Sequence, residues 1–151
     1  MKFLLQVVKK ASVDVDDVTI GSIDKGYLLL AGFCDSDTKE LADKMIKKMI
    51  NLRIFQDENG KTNLSIKDVN GQILVVSQFT LYADCKKGNR PSFVKAGSPS
   101  HAYELYEYVK EHIKSDYDVE IASGSFGADM KVSLINDGPF TVMLDSDEIF
   151  A

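Results

Sequence analysis

Two apolar runs, "GYLLLAGF" at 26–33 and "QILVVSQFTL" at 72–81, limit the folds open to this chain more than any other feature. The first is apolar almost without interruption between Gly26 and Asp35, the pattern of a strand covered on both faces. The second is apolar enough to be central in a sheet. Between them "SDTKELADKMIKKMINL" changes period. Leu41, Ala42, Met45, Ile46, Met49 and Ile50 recur at helical spacing, lysines lie opposite, and Ser36 or Asp37 is available as a cap.

Further strands are expected at 2–8, through "DVTIGSI", at 52–55, and in three C-terminal stretches, 117–122, 129–135 and 139–145. Pro99 suits a first helical turn after Ser98, and Ala102, Leu105, Tyr106, Val109 and Ile113 form a second amphipathic stripe. Two helices against a mostly β framework give an α/β or α+β fold with a large curved sheet. At 151 residues, with no repeat or linker, one domain over 1–151 is expected.

The 44% apolar and 27% charged fractions are those of a soluble globular protein. No run approaches the ~18 apolar residues of a membrane span. The N-terminus reads as a first strand rather than a targeting segment. Cys34 and Cys85 form no CxxC and read as free thiols in a reducing, cytoplasmic setting. The net charge of −5 argues against broad, non-specific nucleic-acid binding. One local basic stretch stands out, "KKGNRPSFVK" at 86–95, with four basic residues beside Phe93. A solvated loop is its plainer reading.

Several motifs fail on inspection. Gly60-Lys61-Thr62 resembles the tail of a P-loop, but the glycine required five residues earlier is Phe55. The Gly124 and Gly127 pair lacks the third glycine of a dinucleotide fingerprint. "DVDD" at 14–17 lacks the glycine and distal glutamate of a calcium loop. His101 and His112 lie about 16 Å apart along a helix rising ~1.5 Å per residue, too far to share a metal ion. A histidine-dependent triad has little raw material, and no cofactor is indicated.

Two segments carry more polar chemistry than core strands need. In "SQFTLYAD" at 77–84, Ser77, Gln78 and Thr80 end a buried run. They either cap the local backbone as the strand emerges into a turn, or floor a site whose backbone N–H groups stabilise an oxyanion. In "NDGPFTVMLDS" at 136–146, Asp137-Gly138 is a strong hairpin signal, yet Pro139 follows and has no N–H for the ladder.

These segments, with "NLRIF", "NLSIKDV", "KGNRPSF" and "SGSFGADMKVSLINDGPFT", resemble the D-aminoacyl-tRNA deacylases of the bacterial and eukaryotic type nearly end to end. The two most specific matches are Ser77-Gln78-Phe79-Thr80-Leu81 and Asn136-Asp137-Gly138-Pro139-Phe140-Thr141. The resemblance implies an α/β fold with a curved mixed sheet or partial barrel flanked by two helices, and a homodimer. It implies hydrolysis of the ester between a D-amino acid, or glycine, and the terminal adenosine of tRNA.

It also implies site roles. Gly138-Pro139 is cis in that family and enters the partner subunit's pocket, where it rejects L-aminoacyl esters. Backbone N–H groups near Phe79 and Thr80 stabilise the oxyanion, while Ser77 and Gln78 position the adenosine or order the loop. Phe126, Gly127, Ala128 and Met130 line the adenosine pocket, Asn136 belongs to the Gly-Pro loop, and Lys86, Lys87 and Arg90 contact phosphate. Thr80 has been considered a nucleophile there, but a threonine without a base is weak. The family usually carries Q-R-V near its start. Here the segment is Gln6-Val7-Val8, so that arginine is absent. Two other readings follow: a sibling deacylase acting on L-alanine mischarged on tRNA, and a non-catalytic RNA- or DNA-binding dimer.

Overall fold

The computed structural model describes residues 1–151 and has eight strands and three helices. In chain order these are β1 (Lys2–Val15), β2 (Val18–Ile23), β3 (Gly26–Gly32), α1 (Lys39–Asn51), β4 (Phe55–Gln56), β5 (Thr62–Leu64), β6 (Gln72–Ser77), α2 (Pro99–Tyr117), β7 (Ile121–Ser123), β8 (Lys131–Asp145) and α3 (Ser146–Ile149). No helix is long and apolar enough to cross a membrane.

A mixed sheet runs β2-β1-β3-β6-β7, antiparallel through β1 and parallel from β3 to β7. One edge of β1 carries β8 from Lys2 to Asp14; the other is shared between β3 on Lys2–Val8 and β2 on Ala11–Val15. At the far end β2 returns onto β7: a Cβ added to Gly21 would lie 2.9 Å from the Ser123 carbonyl oxygen. The sheet is therefore nearly closed, and β8 flares off it as a long outer strand.

The two apolar runs explain this arrangement. Tyr27, Leu29, Ile73 and Val75 face a core of 25 buried residues shared with α1 and α2, while Leu28, Leu74 and Val76 face a second core of seven inside the curve. Both faces of β3 and β6 are buried, as continuous apolar strands require. Each helix lays its stripe on the first core: Ala42, Met45, Ile46, Met49 and Ile50 from α1, and Ala102, Leu105, Tyr106, Val109 and Ile113 from α2.

Several expectations need correction. The second run does not continue as strand to Leu81, because β6 ends at Ser77 and a 3₁₀ turn covers Phe79–Tyr82. The stretch at 117–122 is the end of α2 and the start of β7, and 52–55 contributes only Phe55 to a strand. Asp137-Gly138 makes no hairpin. Thr141 and Asn136 pair with Gln6 and Val8 of the same strand, so one residue of β1, Val7, stands opposite the four residues 137–140. The chain bulges there and continues in its original direction.

The cap of α1 is neither Ser36 nor Asp37 but Thr38, whose hydroxyl accepts from the Leu41 N–H at 3.1 Å. Asp37 is engaged elsewhere. Its Oδ1 lies 2.8 Å from the α-ammonium of Met1, its Oδ2 accepts from the Cys34 N–H at 2.8 Å, and the same ammonium donates to Ser146 Oγ at 2.9 Å. This buried cluster ties the start of β1 to the loop after β3 and to α3.

Candidate functional site

A crevice outside the carboxyl ends of parallel strands is where an open α/β sheet offers backbone and side chains to a ligand. Here that crevice is a cavity of about 570 Å³. Ala31 and Phe33 reach it from the end of β3, Val76 and Ser77 from the end of β6, and Pro99 and Ala102 from the start of α2. Gln78 and Phe79 follow β6, Phe126–Met130 come from the loop before β8, and Phe93 closes one rim.

A cavity of about 690 Å³ at the opposite end of the strands differs in kind. Lys25, Lys67 and Lys114 are balanced there by Asp24, Asp118 and Glu120, and only two of eleven lining residues are apolar. The first cavity combines eleven apolar residues with a few convergent polar ones, the composition of a small-molecule or nucleoside site.

Local structure follows from the turn at Ser77. The Gln78 N–H donates to the Ala31 carbonyl at 2.8 Å, keeping the segment against β3 as it leaves the sheet. The 3₁₀ turn then begins at Phe79. The first N–H groups of any helical turn have no acceptor within it, so those of Phe79 and Thr80 are available to an incoming oxygen. The Gln78 side-chain amide donates to Thr80 Oγ1, and an amide N–H cannot take the hydroxyl's proton as an activating base would.

No histidine lies in the cavity. His101 Nε2 is 3.0 Å from the Asp37 carbonyl, and His112 stacks on Tyr108 at 3.8 Å. The lining contains one carboxylate, Asp129, which is exposed and ion-paired with Lys131 at 3.0 Å.

The opposite wall is rigid for identifiable reasons. Phe126 packs edge-to-face on Tyr103 at 5.3 Å and against Tyr106 at 5.6 Å. Tyr106 is itself fixed by donating to the Val75 carbonyl at 3.0 Å, and burial pushes its hydroxyl up to about 12. Gly127 takes φ +77° in the turn that follows, a conformation side chains resist. Asp84, beside the basic loop, is held below the usual carboxylate range, first by the Lys86 N–H and further by Lys95.

The structure thus brings Ser77, Gln78, Phe79, Phe126, Gly127, Ala128 and Met130 around one cavity. Thr80 stands behind Gln78, and Lys86, Lys87 and Arg90 are exposed outside the lining. Gly138 and Pro139 do not reach it. Their peptide bond is cis, and both are exposed on the bulge of β8. Asn136 spans that bulge, its Oδ1 accepting from the Phe140 N–H at 2.9 Å and its Nδ2 donating to Thr141 Oγ1 at 3.0 Å. Gln6 Nε2 reaches the same hydroxyl at 3.4 Å, while Val7 is buried in the first core.

Sequence reasoning did not single out Phe33, Phe93, Pro99 or Ala102 as site residues. Phe93, an aromatic within a basic polar loop, was the one with a legible signal.

Residues 4–145 match the D-Tyr-tRNA(Tyr) deacylase family. The chain is 49% identical over 150 residues to the D-aminoacyl-tRNA deacylase of Thermosipho melanesiensis, covering 99% of this chain and 100% of that one. It is 53% identical over 145 residues to that of Lactobacillus acidophilus, covering 96% and 99%. Among solved structures, a c-Myc DNA Unwinding Element Binding Protein superposes with a TM-score of 0.91 at 39% identity, over 96% of this chain and 98% of that one. A probable eukaryotic D-amino acid tRNA deacylase superposes with a TM-score of 0.77 at 18% identity, over 95% and 97%, which speaks to the fold alone.

Proposed function

The chain belongs to the D-Tyr-tRNA(Tyr) deacylase family, and we propose that it hydrolyses the ester joining a D-amino acid to the 3′-terminal adenosine of tRNA. The products are the free D-amino acid and the tRNA. The observation that carries this reading is the apolar cavity bounded on one side by Ser77–Phe79 and on the other by Phe126–Met130. A nucleoside fits its character, and Phe79 lines it, so the free N–H groups of Phe79 and Thr80 are the donors assigned here to the ester carbonyl oxygen.

On this reading the chemistry proceeds without a side-chain base. Thr80 accepts from Gln78, and no imidazole or free carboxylate lies in the cavity to activate it. The ribose hydroxyl next to the ester assists an attacking water. The Phe79 and Thr80 N–H groups stabilise the tetrahedral oxyanion, and its collapse expels the ribose oxygen. On this account Thr80→Ala retains kcat within about threefold of wild type, because no proton transfer of the ~10²–10⁴-fold class passes through it. Steady-state hydrolysis of D-tyrosyl-tRNA checks this. Loss of turnover with tRNA binding intact makes Thr80 the nucleophile.

Selectivity comes from a second copy of the chain. Gly138-Pro139 is exposed and outside its own chain's cavity, so it serves a site only by entering a partner's. The homodimer is supported by β8 itself, a 15-residue outer strand paired only with β1 and exposing Ile135 and Met143. Inserted into the partner's cavity, the backbone of the Gly-Pro bulge accepts the hydrogen of a D-amino acid or of glycine. It clashes with the side chain of an L-amino acid. The enzyme therefore ignores side-chain identity, spares correctly charged tRNA and acts as a chiral proofreader in the cytoplasm.

The similarity to a DNA-unwinding-element binding protein favours one second reading, a dimer that binds nucleic acid without cleaving it. Tight binding of D-tyrosyl-tRNA with its ester left intact would select that reading.

A further inference from the structure

The cavity rim carries an aromatic pair for which the terminal adenosine leaves no role. Phe79 and Phe93 meet edge-to-face, centroids 5.1 Å apart and planes at 75°. They are 55% and 37% exposed, although both border the cavity. Two phenyl rings held in water at a cavity mouth are costly unless something covers them.

Phe93 is also firmly placed. Asp84 and Ser92 exchange backbone hydrogen bonds of 2.8 and 2.9 Å just before it, and Asp84 accepts from the Lys86 N–H at 3.0 Å and pairs with Lys95 at 3.4 Å. The same loop presents Lys86, Lys87 and Arg90, exposed and in no ion pair within the chain. In a protein of net charge −5, three unpaired cations beside two exposed aromatic rings match one chemistry: single-stranded nucleic acid, phosphate on the cations and base on the rings.

We propose that the Phe79–Phe93 pair receives the base of the penultimate nucleotide of the substrate's unpaired 3′ end, the face of Phe93 stacking on it and Phe79, nearly perpendicular, holding that ring in place. The inference rests on the deacylase reading, in which the wall at Phe126–Met130 takes the terminal adenosine. The next base then emerges on the opposite rim, beyond the ester and the partner's Gly138-Pro139 bulge, where this aromatic pair and the basic loop await it. A phenyl platform offers no hydrogen bonds, so the site accepts any base at that position and requires only that it be unpaired. A blunt or fully paired 3′ end is a poor substrate.

The test uses an RNA hairpin with an unpaired 3′ end carrying a D-tyrosyl ester, made with a normal or an abasic penultimate nucleotide. Wild-type protein is expected to lose about tenfold or more in kcat/KM on the abasic substrate, mostly through KM, as stacking energies of single bases imply. Phe93→Ala should show a comparable loss on the normal substrate and no further loss on the abasic one, and Phe93→Tyr should restore wild-type behaviour. Exchanging the base should change the wild-type rate less than about threefold, because stacking tolerates sequence. Equal wild-type rates on both substrates would overturn the platform while leaving the deacylase reading standing. So would a Phe93→Ala loss that recurs in full on the abasic substrate. A wild-type protein that cleaves neither ester overturns both readings.

Discussion

Replacing Gly138 by alanine is expected to lower kcat/KM for D-aminoacyl-tRNA about a hundredfold, the scale associated with misplacing a positioned group by ~1 Å. Gly138 takes φ +148°, a region L side chains rarely adopt, and an added Cβ would lie 2.9 Å from the Phe140 nitrogen and 3.1 Å from its Cβ. The bulge must therefore shift. The Phe140 N–H is also the group that Asn136 Oδ1 holds, so the disturbance reaches the bond that spans the bulge. Gly138 and Pro139 are exposed, so the expected loss of stability is only the ~1–3 kcal/mol of local backbone strain. Steady-state kinetics beside a urea titration separates the two. Unimpaired kinetics would show that the bulge does not shape the reacting centre.

Asp37→Ala is expected to cost about 3–5 kcal/mol of folding stability, the usual penalty for removing one partner of a buried ion pair. The Met1 ammonium and the Asp37 side chain are 0% and 2% exposed, and with alanine the ammonium keeps only Ser146 Oγ. The Cys34 N–H loses its acceptor as well. A domain with ~5–15 kcal/mol in total would have little margin left. The exposed pair Lys39–Glu104, at 51% and 61% exposure, is the natural control. Glu104→Ala should leave stability nearly unchanged. A value for Asp37→Ala as small as that would mean that water compensates the ammonium and the cluster is not a structural anchor.

These two residues mark opposite ends of what the sequence discloses. The central strands and both helices were legible because burial on two faces, or on one helical stripe, writes itself into spacing. Tyr27, Leu28, Leu29 and Ala31, with Ile73–Val76, are buried as their continuous apolar character requires. The cluster at Met1, Asp37 and Ser146 left no such mark, since an ion pair across 36 residues and a hydrogen bond across 145 have no period. Apolar residues at Phe79 and Leu81 extend the strand-like pattern, yet the chain leaves the sheet after Ser77: the Gln78 N–H makes a last bond to Ala31 of β3, and the Leu81 N–H bonds back to Gln78 to close the 3₁₀ turn. Asp137-Gly138 misled in the opposite sense. Local turn chemistry favours reversal, but pairing of both flanks with β1 outweighs it, and Pro139 sits where no ladder bond is needed.

The site divides the same way. Ser77 and Gln78 announce themselves as polar residues ending a buried strand. That Phe126–Met130 would face them depends on β7 lying beside β6. The placement of Gly138-Pro139 outside its own cavity depends on the bulge in β8, and neither arrangement has a local signature.

In the proposed function, a fixed backbone element from a second subunit makes a general ester-hydrolysing cavity chiral. The most direct test is hydrolysis of D-tyrosyl-, L-tyrosyl- and glycyl-tRNA by the purified protein under identical conditions. The account predicts cleavage of the D and glycyl esters with the L ester spared. Equal cleavage of the D and L esters would contradict it, and would mean that, with valine at position 7, the Gly138-Pro139 bulge does not discriminate.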